Sequence, residues 1–242
     1  MQKITVVLPT YNEAENIVST IRDILAQDIP FLDIIVADDN SDDGTVQKVS
    51  EYFGNYEKVR CFNHPPPRGL SPSVVDAFDL STSDILCCMD ADGQHRAEDL
   101  RGIIEKFNDP SISMVTGSRY TENGGFTEKW CFSRWLASRT ATLLAQIFLK
   151  VPLKDPMSGF FAIRRSEYQK VRPHLNPAGF KIMLEIAWLL NLSGNGKIAE
   201  SPIIFAMRRN GKSKLSTKVI AQYLKMLLEC MVKRRTVKRL MR

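Results

Sequence analysis

An apolar run that ends in two closely spaced carboxylates decides the fold of this chain: Ile85-Leu-Cys-Cys-Met-Asp90-Ala-Asp92-Gly-Gln94-His95. The short apolar run, bounded by polar residues, predicts a buried β-strand. Because successive side chains on a strand point to opposite faces, Asp90 and Asp92 share one side. Adjacent carboxylates repel each other unless a cation neutralises them, and oxygen ligands of this kind suit Mg²⁺ or Mn²⁺. The alternative is a strand end with two solvated acids and a turn glycine.

Strand patterns alternate with helical patterns on both sides of this segment. Apolar runs predict strands at about 3–9, 32–38, 58–62, 84–90 and 112–118, and periodic patterns predict helices at about 13–26, 43–52, 70–80 and 97–107. This alternation predicts an α/β fold with a mainly parallel central sheet and helices on both faces. Ligands of such sheets bind at the carboxyl ends of the strands, where the polar motifs of this chain fall.

Length and composition predict one main domain, residues 1–215, followed by a helical tail, residues 216–242. The chain has 242 residues, of which 44% are hydrophobic, enough for one substantial core. Cys87 and Cys88 are adjacent within the predicted strand, which favours reduced thiols in a cytoplasmic protein. The first residues show no signal-peptide pattern, and no apolar stretch reaches bilayer length. We therefore expect a soluble or peripheral protein.

The tail carries most of the basic charge. From position 212 to 242 the net charge is +9, against +6 for the whole chain, so residues 1–211 carry −3. Apolar residues recur at helical spacing along it: Val219, Ile220, Tyr223, Leu224, Leu227, Leu228, Met231 and Val232. A basic amphipathic helix binds anionic membrane surfaces. The alternatives are a packed helix with a solvated rim and a nucleic-acid-binding tail; the latter is disfavoured because no RNA- or DNA-reading motif accompanies the charge.

A second amphipathic segment spans residues 129–150. It combines aromatic and aliphatic side chains with Arg134 and Arg139. This pattern predicts either a helix packed on the sheet or an interfacial helix, with aromatic rings at headgroup depth and arginines facing a lipid phosphate.

Six further motifs follow predicted strands or loops. They are Pro9-Thr-Tyr-Asn-Glu-Ala-Glu-Asn16, Asp38-Asp-Asn-Ser-Asp-Asp-Gly-Thr45, Gly117-Ser-Arg-Tyr120, Asp155-Pro-Met-Ser-Gly-Phe160, Gly179-Phe-Lys-Ile182 and Arg208-Arg-Asn-Gly-Lys-Ser-Lys-Leu215. In this order and spacing, the set resembles the family 2 glycosyltransferases with the A-type fold. Within these it is most similar to dolichyl-phosphate mannose synthases and their bacterial polyprenyl-phosphate relatives.

The resemblance implies a role for each motif. It assigns nucleotide-sugar binding to Pro9, Tyr11, Glu13, Asp38, Asp90, Ala91, Arg208 and Lys214, and the divalent metal to Asp90, Asp92 and Gln94. It assigns the acceptor phosphate to Arg119, Arg134 and Arg139, with Asp155 and Glu185 as weaker candidates for the sugar pocket. Asp92, Arg119 and Arg134 are the residues on which catalysis would depend. Helix capping remains an alternative for Asp38, and the solvated start of the tail for Arg208 and Lys214.

The implied reaction is the inverting transfer of a hexose, mannose from GDP-mannose first among the donors, to a polyprenyl phosphate. A phosphomonoester with a second pKa of about 6 is already ionised at pH 7, so it needs no general base. A sugar-hydroxyl acceptor would need one, and Asp155 and Glu185 are the candidates. A catalytically idle membrane-binding partner is the alternative from another class.

The chain departs from the family pattern at several places. Phe160-Phe-Ala162 replaces a Phe-Arg pair common in mannose synthases, which leaves UDP-glucose or a UDP-aminosugar open as donors. Gly93 stands where many relatives carry a larger residue, which predicts a looser metal loop. The carboxy-terminal membrane spans of some relatives are absent, so lipid contact is expected through the tail or through a separate anchoring protein, at the cytoplasmic face of a membrane.

Overall fold

The computed structural model describes residues 2–64, 68–128, 132–177, 179, 181–194, 196–210 and 217–241, with the side chains of residues 133, 217 and 218 left aside. The strands are β1 Ile4–Thr10, β2 Leu32–Asp38, β3 Val59–Asn63, β4 Ile85–Cys88, β5 Ile112–Ser118, β6 Gly125–Phe126, β7 Phe161–Arg164, β8 Lys197–Pro202 and β9 Ile204–Phe205. The helices are α1 Ile17–Leu25, α2 Thr45–Phe53, α3 Leu70–Leu80, α4 Glu98–Glu105, α5 Phe132–Leu144, α6 Arg165–Val171, α7 Ile182–Ser193 and α8 Thr217–Leu240.

Seven strands form the central sheet in the order β3-β2-β1-β4-β7-β5-β8. Strand β7 runs antiparallel to both of its neighbours, and the other pairings are parallel. The predicted α/β fold with a mainly parallel sheet is therefore confirmed. Strand β7 was not predicted, because a strand of four residues is too short to show a recognisable period.

The order of the strands reverses at β1. From β1 the chain moves outward to β2 and β3, then returns to form β4 on the other side of β1. The loops that leave β1 and β4 therefore separate, and a crevice opens between them at the carboxyl edge of the sheet.

Both faces of the sheet are covered by apolar layers. One layer packs α1, α2 and α4 against the sheet, and the other packs α3, α6, α7 and α8 against its opposite face. Helix α7 is buried on nearly all sides, so its sequence shows no amphipathic period.

Helix α8, the basic tail, packs on this second layer. Tyr223, Leu227, Cys230 and Val237 are buried, and the Tyr223 hydroxyl donates a hydrogen bond of 2.6 Å to the carbonyl of Ala141 in α5. One face of the helix is therefore packed, as the alternative of a packed helix predicted, and the other face is exposed.

Helices α5 and α8 together leave a large apolar surface in solvent. We call it the apolar ridge; it consists of Phe132, Trp135, Leu136, Leu143, Ile220, Leu224, Leu228 and Val232, all exposed. Within the described ranges, none of the helices has both the length and the hydropathy that crossing a membrane requires.

Candidate active site

A cleft of about 450 Å³ opens at the carboxyl edge of the sheet, where the order of strands reverses. Its walls come from the ends of β1, β2 and β4, the start of α3 and the segment after β9. It is lined by Pro9, Thr10, Tyr11, Glu13, Asp39, Gly69, Leu70, Ser73, Asp90, Ala91, Asp92 and Arg208. Seven of these were predicted from the sequence, so the structure brings most of the proposed nucleotide pocket together.

Asp92 and Arg208 form the charged centre of this cleft. Arg208 Nη2 lies 2.5 Å from Asp92 Oδ2, and its Nη1 lies 3.4 Å from Glu13 Oε1. Asp92 Oδ1 accepts a hydrogen bond of 2.9 Å from the amide of Gln94. Burial raises the pKa of Asp92, and the negative charge of Asp90 raises it further, while the Gln94 amide and Arg208 oppose the shift. The arrangement concentrates negative charge that Arg208 offsets only in part.

These residues fit a hard divalent cation. Asp90 presents a partly exposed carboxylate to the cleft, and Asp92 lies beside it. The side-chain nitrogen Nε2 of Gln94 donates a hydrogen bond of 3.3 Å to the Ala206 carbonyl, which leaves the side-chain oxygen of Gln94 as the atom able to coordinate. The mutual repulsion that raises the Asp92 pKa is the repulsion that a cation relieves. In the described part of the chain, no three His, Cys, Asp or Glu residues group to hold a metal. Two carboxylates and an amide leave the remaining positions to phosphate oxygens.

Gly93, between Asp92 and Gln94, has a left-handed backbone conformation and packs against Arg209. Its φ is +79°, and a Cβ placed on it would lie 2.8 Å from Cγ of Arg209. The Arg209 guanidinium in turn lies 2.6 Å from Asp23. Arg209 therefore packs directly over the glycine, and a larger residue at position 93 would displace it.

Asp38, which was expected at the nucleotide, and its neighbour Asp39 have different surroundings. Asp38 is fully buried and accepts hydrogen bonds from the hydroxyls of Thr10 and Ser41 and from the Ser41 amide, so it ties β1 to the loop after β2. It does not line the cleft, whereas Asp39 does. Asp39 accepts hydrogen bonds from the amides of Arg68 and Gly69 at 2.7 and 2.9 Å, which fixes the start of α3 beside the cleft.

Arg119 and Asp155 form a buried, bidentate ion pair. Arg119 Nε and Nη2 lie 2.6 and 2.7 Å from the two carboxylate oxygens of Asp155, and the Arg119 amide donates to the same carboxylate at 3.0 Å. Their side chains are 4% and 0% exposed. The rings of Tyr120, Phe126 and Phe205 surround the guanidinium. Asp155 therefore contacts Arg119 and is not disposed as a free base.

The other predicted cations are less enclosed. Arg134 lies partly exposed in the first turn of α5, and the exposed Arg139 stands 4.9 Å from the centre of the Tyr120 ring. Lys214 lies outside the described residues.

Lys181 belongs to one of the sequence motifs, but no role was predicted for it. Burial lowers the pKa of its ammonium group, as does the nearby charge of Arg119, while Asp90 and Asp155 oppose the shift. Lys181 thus lies within electrostatic reach of both the metal motif and the buried ion pair. A lysine directly before a mainly apolar helix is a signal that the sequence does contain.

Glu185 lies away from the cleft, contrary to its assignment to the sugar pocket. It faces a separate cavity between α7 and α8, lined also by Trp188, Glu229 and Lys233. Its Oε1 accepts a hydrogen bond of 2.8 Å from the Asn176 amide. Burial raises the pKa of Glu185 to about 7, with a smaller contribution of the same sign from Glu229.

Glu185→Gln is expected to increase the free energy of unfolding above pH 7 and to leave it unchanged at pH 4. The pKa is higher in the folded chain than the ordinary value of 4.5, so ionisation costs stability as the pH rises from there to about 7. The cost is on the order of 3 kcal/mol, and glutamine avoids it while still accepting the Asn176 hydrogen bond. Urea unfolding across this range measures it, with the exposed Glu57→Gln as control. A difference in the free energy of unfolding between variant and wild type that does not change with pH would contradict the raised pKa of Glu185.

The comparisons with known proteins agree with the fold and the cleft. Residues 5–172, more than half of the chain, match the family model described as glycosyl transferase family 2. The strand-end cleft and this match define the protein as a glycosyltransferase. The chain belongs to glycosyl transferase family 2, as its motifs predicted.

The chain is also similar to two dolichol-phosphate mannosyltransferases. A dolichol-phosphate mannosyltransferase of Pyrococcus furiosus is 38% identical over 227 residues, which cover 92% of this chain and 62% of that protein. The dolichol-phosphate mannosyltransferase of Saccharomyces cerevisiae is 35% identical over 238 residues, with coverage of 94% and 86%. The chain thus spans less than two thirds of the length of the Pyrococcus relative.

A solved structure confirms the A-type fold. The complex of glucosyl-3-phosphoglycerate synthase from Mycobacterium tuberculosis with Mn²⁺ and UDP-glucose superposes with a TM-score of 0.68, at 18% identity, over 96% of this chain and 79% of that one. At this identity the likeness concerns the fold alone.

Proposed function

We propose that this protein transfers mannose from GDP-mannose to a polyprenyl phosphate, with inversion at the anomeric carbon. The observation that carries the proposal is the cleft in which Asp90, Asp92 and Arg208 meet at the strand reversal. The similarity to two dolichol-phosphate mannosyltransferases supports the choice of sugar and acceptor.

On the donor side, the cleft supplies residues to recognise the nucleotide and a positive charge for its diphosphate. Pro9, Tyr11 and Glu13 line the wall where we place the nucleotide, and Arg208 would turn from Asp92 toward the diphosphate. Arginine suits this role because its planar fork binds phosphate in two places at once.

Asp90, Asp92 and Gln94 would hold Mg²⁺ or Mn²⁺ against the diphosphate. When bound, the cation supplies Lewis-acid stabilisation of the negative charge that develops on the leaving group. Burial of Asp92 and its repulsion from Asp90 make two ionised carboxylates costly without a cation, so binding of the cation would be favoured.

On the acceptor side, we place the lipid phosphate near Arg119, Arg134 and Arg139. Asp155 orients the Arg119 fork through two hydrogen bonds, so its direction is set before the acceptor arrives. Lys181 adds a further positive charge in this region. A phosphate that is already ionised attacks the anomeric carbon directly, in line with the departing diphosphate.

A sugar-hydroxyl acceptor is less well supported. The two carboxylates nominated as general base are engaged elsewhere: Asp155 pairs with Arg119, and Glu185 lies in another cavity. An idle binding partner would have no need of the costly pair of carboxylates in the cleft.

The test is a donor panel. The full chain is incubated with GDP-mannose, UDP-glucose or a UDP-aminosugar, with Mn²⁺ and a short polyprenyl phosphate, and lipid-linked sugar is measured. We expect product from GDP-mannose, and loss of product with excess chelator. Transfer only from a UDP-sugar, or only to a sugar hydroxyl, would overturn the proposal.

We further propose that the apolar ridge meets an anionic membrane surface. The cations of α8 lie on one of the two helices that form the ridge, and a hydrogen bond from the Tyr223 hydroxyl joins α8 to α5. This would place the acceptor arginines of α5 near lipid phosphates.

Leu228→Gln with Val232→Gln is expected to weaken binding to anionic vesicles at least about tenfold. These side chains are 62% and 82% exposed, so the change costs the fold little but removes two apolar groups from the surface that would enter the lipid. Vesicle sedimentation measures the effect, with Leu80→Gln, exposed at the far end of α3, as the matched control. Binding should also weaken as salt rises, since exposed charges are screened over about 8 Å. Sedimentation indifferent to both changes would reject the ridge as a membrane contact.

A further inference from the structure

His95 lies between the loop that contains Asp90 and the loop that contains Ser158. Its side chain is completely buried. The Asp90 amide donates a hydrogen bond of 3.0 Å to Nδ1, and Nε2 lies 3.2 Å from the carbonyl oxygen of Ser158. Because Nδ1 accepts a hydrogen bond, the ring carries its proton on Nε2, which donates to Ser158. Each ring nitrogen therefore has a separate partner on a separate loop.

The surrounding packing gives the imidazole a single position. The ring stacks on Phe160 with centres 5.0 Å apart, and Phe205 meets it edge-on at 5.5 Å. Gly159 has a φ of +82°, and a Cβ placed on it would lie 3.7 Å from Cε1 of His95 and 3.8 Å from Oδ2 of Asp90. The Ser158 loop thus closes directly over both residues.

The Ser158 loop leads on to the buried ion pair. The Ser158 amide lies 3.4 Å from the carbonyl oxygen of Asp155, whose carboxylate holds Arg119. A continuous series of contacts therefore runs from Asp90, through His95 and Asp155, to Arg119.

We propose that His95 is a positioning residue that sets the Asp90 loop against the Ser158 loop. Asp90 and Asp92 would then stay at a fixed distance from the Arg119–Asp155 pair. Direct displacement requires a fixed distance of this kind, because donor and acceptor must be aligned with each other. This inference rests on the proposed function, because it assigns the two loops to donor and acceptor.

Two substitutions of His95 each keep one of its two hydrogen bonds and remove the other. In His95→Asn the amide oxygen can replace Nδ1 and accept from the Asp90 amide, while the bond to Ser158 is lost. In His95→Gln the amide nitrogen can replace Nε2 and donate to Ser158, while the bond to Asp90 is lost. His174→Gln, in the cavity between α7 and α8, is the matched control.

The readouts are the affinity for Mn²⁺ with GDP in the absence of turnover, the steady-state constants for donor and acceptor, and the melting temperature. We expect His95→Gln to bind Mn²⁺ and GDP on the order of tenfold more weakly and to raise the donor KM, as loss of a residue supporting a metal ligand does. We expect His95→Asn to keep that affinity but to lose kcat with the acceptor to a similar extent.

Equal losses in both variants, loss of folding in both, or a change in melting temperature alone would overturn the positioning role in favour of a purely structural one. The wild-type chain is measured first. Absence of Mn²⁺–GDP binding and of mannose transfer there would overturn the proposed function, and this inference with it. Active wild type with indistinguishable variants would overturn this inference alone.

Discussion

Asp92→Asn is expected to lower the rate of transfer about a thousandfold or more while leaving the chain folded. Asparagine still accepts the hydrogen bond from the Gln94 amide but removes the charge that would face the cation and Arg208. Losing stabilisation of the leaving group at this site costs about 4 kcal/mol of barrier, and each 1.4 kcal/mol is a factor of ten in rate. Initial rates at saturating GDP-mannose and Mn²⁺ measure the effect.

The stability of this variant provides a second measurement. Burial and Asp90 raise the pKa of Asp92, so the ionised side chain already costs the fold some stability at neutral pH. The substitution removes that cost together with the Arg208 ion pair, and we expect the melting temperature to change by only a few degrees. Asp28→Asn, exposed at the opposite edge of the sheet, is the control. Turnover close to wild type in Asp92→Asn, or full activity in excess chelator, would show that the carboxylate does not hold a metal.

Asp155→Asn is expected to lower the free energy of unfolding by about 3–5 kcal/mol, because it leaves the buried guanidinium of Arg119 without its counter-charge. For a chain of this size, such a loss lowers the melting temperature by roughly 10 °C. Glu167→Gln breaks an exposed ion pair with Lys170 and should cost less than about 1 kcal/mol. Thermal and urea unfolding provide both values.

A double variant then separates stability from function. Arg119→Met with Asp155→Asn removes the unpaired charge, and asparagine can still accept the amide hydrogen bond of residue 119. We expect stability to recover while use of the lipid phosphate does not. If transfer recovers together with stability, Arg119 holds the fold and does not serve the acceptor.

The strands that carry the site could be predicted because they are long and apolar. Strands β1, β2 and β5 have seven residues each, nearly all buried, and their ends lie where the polar motifs begin. Strand β7 and the two-residue strands β6 and β9 escaped prediction because their pairing is set by distant parts of the chain. Tertiary contacts decide such short elements.

The motifs predicted which residues gather at the cleft but not how each is used. Asp38 and Asp39 are equivalent in the sequence, and only the fold shows that Asp38 bonds Thr10 while Asp39 faces the cleft. Similarly, His95 could be interpreted as a loop residue until its two hydrogen bonds were visible. Glu185 was misplaced because an acid in an apolar run indicates burial but not which cavity it faces.

The reversed direction of β7 has a consequence for how such enzymes diversify. Since β7 runs against β4 and β5, the residues that precede it reach the same edge of the sheet as the residues that follow those two strands. A parallel strand would have delivered them to the opposite edge. With the exception of Arg208, the proposed donor residues lie at or before residue 94, whereas the proposed acceptor arginines lie between β5 and β7, in a separate stretch of the gene. On this proposed assignment, insertions between β5 and β7 would alter the acceptor wall and leave the nucleotide pocket in place.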